Sequence, residues 1–218
     1  FRALGNRVEI MPVSETYSLS VEISGGKILQ ILKIDPVTSK ILEEPSEIFL
    51  FPAKHFLTNS SKKEKALKDI KKELDTQLKV FEKEGKLLEA ERLKRRTSYD
   101  LAMIREVGYC SGIENYSRHL SGKKAGEPPE TLLSYFPKKK NGEADFLVVI
   151  DESHVTLPQL QGMYAGDASR KNTLVEFGFR LPSAKDNRPL KFGEFEERIG
   201  QVIYTSATPG DFERENSA

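Results

Sequence analysis

Across residues 7–51 apolar positions alternate with polar ones or run in short blocks, with Tyr17, Leu19, Val21 and Ile23 on one face of an extended segment. Side chains of a strand point to opposite faces in turn, so this period predicts a β meander. Ser24-Gly25-Gly26-Lys27 marks a hairpin, because paired glycines supply the positive φ angles that a tight turn needs. Asp35-Pro36 punctuates the next strand, and a last strand is expected over residues 47–51, stopped by Pro52. From Ser60 the period changes: Leu67, Ile70, Leu74, Leu78 and Phe81, then Leu87, Leu88, Leu93, Leu101, Ile104 and Val107, fall at helical spacing. Two helices are predicted, with a Ser61/Glu64 capping box at the start and a break at Gly85. Residues 121–140, with Pro128-Pro129 and Lys138-Lys139-Lys140, read as a loop over a packed surface. Two short apolar runs follow, residues 146–150 and 201–204, with mixed helical and loop material between them. Short, fully apolar strands at such a separation predict a buried parallel sheet.

The expected fold class is therefore mixed, α+β and α/β, in three parts: β-rich residues 1–59, a helical and loop section over 60–144, and an α/β part over 145–218. With 218 residues, 38% of them hydrophobic, the chain has enough apolar side chain for a sizeable core. Its 34 basic and 33 acidic residues nearly cancel, so net charge gives no argument for wholesale binding to nucleic acid, and charged contacts must come from local patches. The Lys and Glu residues of the two helices read as a solvated face in preference to a phosphate-binding one. Cys110 is the sole cysteine, which excludes an internal disulfide or a cysteine-based zinc site and fits a reducing, cytoplasmic setting. The longest apolar run is far too short to span a bilayer, and the first residues do not resemble a secretory leader. A strand pattern that begins almost at once, with no initiator Met, suggests a piece of something longer.

The sharpest chemical feature is an apolar strand that ends in two acids, Ile150-Asp151-Glu152, continued by Ser153-His154. A carboxylate at the carboxyl end of a buried strand can hold Mg²⁺, while its neighbour orients or deprotonates the water that attacks a γ-phosphate. Asp151 is the candidate metal-side acid and Glu152 the candidate water-side acid; the bland alternative is a pair of strand-end acids facing solvent. The later strand ends in Thr205-Ser206-Ala207-Thr208-Pro209-Gly210, whose hydroxyls can hydrogen-bond to the acids or to a neighbouring domain, although taken alone the segment reads as a turn. Together the two strand ends resemble motifs II and III of superfamily 2 helicases. No G-x-x-x-x-G-K-[ST] phosphate loop occurs in the chain, so by itself it is expected neither to bind ATP tightly nor to hydrolyse it. His154 reads as a structural or coupling residue more readily than a catalytic one, and His55 and His119 stay unassigned.

Residues 109–119 (Tyr-Cys-Ser-Gly-Ile-Glu-Asn-Tyr-Ser-Arg-His), 151–156, 179–184 (Phe-Arg-Leu-Pro-Ser-Ala), 186–190 (Asp-Asn-Arg-Pro-Leu) and 206–210 resemble the UvrB family, the damage-verifying subunits of the bacterial UvrABC excinuclease. The resemblance extends over essentially the whole chain. It implies an interior fragment: an antiparallel UvrA-interaction module, long helices, and part of a RecA-like P-loop NTPase core that stops after motif III. It further implies that the parent loads onto damaged DNA with UvrA, verifies the lesion using ATP and Mg²⁺, and recruits UvrC. Asp151 and Glu152 match the family's Mg²⁺- and water-handling acids, and Ser206 and Thr208 its motif III coupling residues. Glu114, Tyr116 and Arg118 lie in a segment similar to the surface that faces the family's β-hairpin and DNA; a conventional packed helix start is the competing reading. Arg2 matches an arginine used against UvrA, although Leu4 and Asn6 stand where the family usually has Arg and Asp. Residues 138–144 are longer than the family's usual linker. A non-catalytic interaction module like that of the transcription-repair coupling factor is the alternative, and the intact acids argue against it.

Overall fold

Alternation in the amino-terminal segment produces a five-stranded antiparallel sheet in sequence order, β1 (Arg2–Leu4), β2 (Arg7–Ile10), β3 (Ser18–Ser24), β4 (Lys27–Ile34) and β5 (Ile41–Glu43). The computed structural model describes residues 1–51 and 60–217, and the chain divides into two compact units, Phe1–Leu57 and Thr58–Ala218. The β3–β4 turn is the predicted two-glycine hairpin, with φ of 58° at Gly25 and 75° at Gly26, the positive angles that match the twist of the flanking strands. β4 ends where Asp35 Oδ1 accepts the N–H groups of Val37 and Thr38 at 2.9 and 2.7 Å, a side-chain-closed turn.

Leu19, Val21 and Ile31 form the core of this unit, with Ile10, Tyr17 and Ile48 packed against them. Ile23, expected on the same face, is 36% exposed because the β3–β4 register shifts between Glu22 and Ile23. Residues 47–51 do not form the expected strand. β4 takes β5 as its partner, and the later segment contributes only Ile48 to the core while Phe49 and Phe51 stay exposed.

In the second unit, the helical period becomes α1 (Ser60–Lys83) and α2 (Leu87–Glu106). Gly85, at φ 71°, makes the predicted break, and the Lys86 N–H reaches back to Phe81 O at 2.9 Å, closing the helix end as a Schellman-type turn does. Ser61, the expected capping residue, instead lies inside α1, which already includes Ser60. Leu67, Ile70, Leu74 and Phe81 of α1 meet Leu93 and Ile104 of α2 in one core. A 3₁₀ turn (Ile113–Tyr116) and α3 (Ser117–Ser121) close it, with Leu181 from the segment beyond.

β6 (Val148–Ile150) and β7 (Val202–Tyr204) pair in parallel, Ile150 opposite Tyr204. The predicted parallel pairing is present, but the expected burial on both faces is not: Ile150 is buried, while Val149 is 58% and Ile203 47% exposed. Successive side chains of a strand face opposite ways, so this short pair is covered on one side only. Between the strands runs α4 (Ser153–Glu176), a single 24-residue helix, then α5 (Phe192–Glu196); α6 (Asp211–Asn216) follows β7. Pro158, Gly162 and Gly166 disguise α4 in the sequence, since they read as breakers. Pro158 falls in its second turn, where the only bond lost is the one its missing N–H would make to His154.

Candidate functional site

Because β6 and β7 end in register, Asp151 and Thr205 emerge side by side. Thr205 N–H donates to Ile150 O and Ser153 N–H to Thr205 O, both at 3.0 Å, which carries the parallel ladder past the strand ends. The Thr205 hydroxyl donates to Asp151 Oδ1 at 2.6 Å, and the Glu152 N–H reaches the same oxygen at 3.0 Å. These two hydrogen bonds, that of Thr205 first, hold the Asp151 carboxyl below its ordinary range. Both converge on Oδ1, so Oδ2 remains as the free carboxylate oxygen.

Glu152 is the N-cap of α4 and has φ 46°, a left-handed conformation that a residue with a side chain adopts only when its surroundings impose it. Its side chain is 64% exposed, and Oε2 lies 3.5 Å from His154 Nδ1. His154 Nδ1 is 2.8 Å from Ser206 Oγ. Ser206 Oγ in turn accepts the Thr208 N–H at 3.0 Å. Thr208 thus enters through its backbone, and its side chain is exposed. Asp151, Glu152, Ser206 and Thr208 are therefore gathered at one edge, as their spacing suggested. Among the described residues no three or more His, Cys, Asp or Glu side chains form a metal-holding group. That donor set fits a cation held by one or two carboxylates together with water and phosphate oxygens, the usual arrangement for Mg²⁺.

The other sequence candidates fall elsewhere. Tyr116 is 5% exposed in the helical core, with its hydroxyl donating to buried Asp100 at 2.8 Å. A ring so placed cannot stack on a base, so the packed reading of this residue replaces the DNA-facing one. Arg118 sits between two carboxylates, Nη1 at 2.7 Å from Asp186 Oδ2 and Nη2 at 3.3 Å from Glu73 Oε1, its side chain 17% exposed. It clamps α1 and α3 to the segment after α4 instead of presenting a free charge. Glu114 is exposed beside Asn115. Arg2, in β1, is exposed and paired with Glu9 of β2 at 2.6 Å.

Sequence reasoning missed Glu73. Its Oε2 lies 2.7 Å from His119 Nε2 and its Oε1 accepts the Ser183 N–H at 2.8 Å. Burial by itself pushes this carboxyl up, but the bonds from His119 and Ser183 and the charges of His119 and Arg118 outweigh it and bring it below the ordinary range. Nothing local marks it, since its partners lie 46 and 110 residues away. Thr205 was visible within its motif but carried no assigned role.

Arg188, within one of the family-like segments, grips Glu194 with two parallel bonds of 2.7 and 2.8 Å. That guanidinium draws the Glu194 carboxyl down from 4.5 to about 2. A carboxyl whose folded pKa is depressed contributes stability that is fully present above its unfolded pKa and is lost as pH falls through the folded one. Glu194→Gln is therefore expected to lower Tm at neutral pH, with the difference from the unmutated chain vanishing between pH 4.5 and about 2; thermal melts across that window check it.

Comparison with known proteins adds two family models: the UvrB interaction domain matches residues 1–56 and the UvrB third helical domain residues 61–122. Among curated proteins, the chain is 55% identical over 217 residues to UvrABC system protein B of Dehalococcoides mccartyi, covering 100% of this chain and 32% of that protein. It is 56% identical over 218 residues to the protein of the same name from Carboxydothermus hydrogenoformans, again 100% against 32%. The Streptomyces coelicolor counterpart is 53% identical over 217 residues, 100% against 30%. The chain thus spans about a third of the length of the curated relatives it matches.

Proposed function

The chain belongs to the UvrB family, and from this we propose that it forms one wall of the ATP-hydrolysing site of a nucleotide excision repair protein, joined to a module that binds UvrA. The observation that carries the reading is the pair of parallel strand ends that sets Asp151 against Thr205 and Glu152 beside His154 and Ser206. On this reading β6 and β7 are part of a RecA-like sheet, and the acids face the γ-phosphate of ATP. Asp151 Oδ2 would hold Mg²⁺, which supplies neutralisation of the phosphate charge when bound. Glu152 orients the attacking water and takes its proton; its exposed carboxylate and left-handed backbone suit a group held out toward a ligand. The Ser206–His154 hydrogen bond ties the loop after β7 to the acids, so that a change at the phosphate is felt by the loop. The chain carries no phosphate loop of its own, and calorimetry with this chain alone is expected to show no tight ATP binding.

The whole protein would load onto damaged DNA with UvrA, verify the lesion at the cost of ATP and recruit UvrC. A non-catalytic interaction module is less well supported, because both acids and both hydroxyl loop residues are present, with Asp151 bonded to Thr205 and Ser206 to His154. No helix among the described residues is long and apolar enough to cross a membrane.

For the sheet unit, Arg2 offers the contact with UvrA. Its Nε and Nη2 bind Glu9 at 3.1 and 2.6 Å, which leaves Nη1 for a partner carboxylate. Leu4 and Asn6 stand beside it, Leu4 57% exposed. Calorimetric titration with a bacterial UvrA is expected to show binding that weakens roughly tenfold in Arg2→Ala, the loss of one charge-assisted interface contact. A folded chain that binds UvrA equally well with and without Arg2 removes Arg2 from the interface.

A further inference from the structure

Glu213 lies outside the motifs quoted above, yet it is 4% exposed and both of its carboxylate oxygens are engaged. Oε2 accepts the Gly210 N–H at 3.0 Å, closing the first turn of α6. Capping requires no more than that. Oε1 accepts the hydroxyl of Ser153 at 2.7 Å across 60 residues of sequence. Ser153 is fully buried and is the first residue of α4, directly after the acid pair.

We propose that Glu213 is a positioning residue for the acid pair, its carboxylate tying the Asp151–His154 turn to the loop that follows β7. The inference rests on the reading of that pair as the wall of an ATP-hydrolysing site and extends it. Glu152 keeps its left-handed backbone only if the turn around it is over-determined. The other bonds on the turn stay inside it or go to the residues directly after β7: Glu152 N–H to Asp151 Oδ1, Thr156 hydroxyl to Asp151 O, Ser153 N–H to Thr205 O, Thr205 hydroxyl to Asp151 Oδ1 and the Ser206–His154 pair. The tie from α6 is of a different kind because it reaches a separate helix, and its ionised acceptor makes a shorter and stronger hydrogen bond than a neutral one would. It also occupies the hydroxyl of a serine that has no water to bond to. Since Glu213 grips Gly210 with its second oxygen, any displacement of the loop after β7 is transmitted to Ser153 and from there to the adjacent acids.

The test separates this tie from simple capping. Ser153→Ala removes the tie and leaves the Glu213–Gly210 bond, whereas Glu213→Gln keeps the shape and removes the charge. In amide hydrogen exchange on the 218-residue chain, both variants are expected to speed exchange at Thr205 and Thr156 roughly tenfold, with Leu93 and Ile31 unchanged, as local opening does. In a chimera in which this chain replaces the matching segment of the Dehalococcoides mccartyi relative, kcat for ATP is expected to fall while KM stays constant. Exchange that accelerates only within α6, or not at all, overturns the proposal and leaves Glu213 as a capping residue. A kcat unaffected by Ser153→Ala in an active chimera overturns it as well. An unmutated chimera that turns over no ATP instead defeats the functional reading, and exchange then decides on the tie by itself.

Discussion

Asp151→Asn, introduced into the chimera with the Dehalococcoides mccartyi relative, is expected to reduce ATP hydrolysis at least about 100-fold, a loss typical of removing one preorganised electrostatic group from a reacting phosphate or acyl centre. The substitution is nearly isosteric. An amide oxygen at the Oδ1 position can still accept the bonds of Thr205 and Glu152 N–H, so the turn should keep its shape. What disappears is the negative charge beside the free oxygen, and with it the proposed means of holding a cation against phosphate. Steady-state hydrolysis measured across Mg²⁺ concentrations reads this as a lost kcat that added cation does not restore. Circular dichroism that stays unchanged separates it from misfolding. An Asn variant with wild-type turnover would remove Asp151 from the chemistry.

Arg118→Ala is expected to destabilise the second unit by about 3 kcal/mol, because it strands two largely buried carboxylates, Glu73 and Asp186, without their shared cation. For a unit of this size that corresponds to a fall in Tm of roughly 10 °C. Arg118→Lys should recover only part of the loss, since an ammonium cannot reproduce the fork that spans the two acids. Thermal melts at neutral pH check both variants. The same experiment distinguishes the clamp from a DNA contact: an arginine that served only to neutralise phosphate would leave Tm where it was and weaken DNA binding in a salt-dependent way.

The difference between these two residues shows how much of the site was legible. Asp151, Glu152, Ser206 and Thr208 could be named from short motifs, because a strand end places consecutive residues at a predictable edge and the register of a parallel pair brings two such edges together. Tyr116 and Arg118 lay in an equally recognisable segment, but Tyr116 is turned to buried Asp100 of α2 and Arg118 to Glu73 of α1 and Asp186, the last contact separated by 68 residues. Glu213 and Glu73 had no motif at all, and their roles come from partners at similar distances in the chain.

The fold divides in the same way. Local chemistry alone determined the β meander, the two-glycine hairpin, the two long helices and the break at Gly85, since each follows from side-chain period or from a backbone angle that few residues tolerate. Tertiary structure decided that residues 47–51 would not pair, that α4 would run unbroken through Pro158 and two glycines, and that one face of β6–β7 would stay uncovered. Those outcomes depend on which surfaces meet and how much burial they gain. Local propensities of a fraction of a kilocalorie per residue yield to such contacts, and a linear pattern does not contain them.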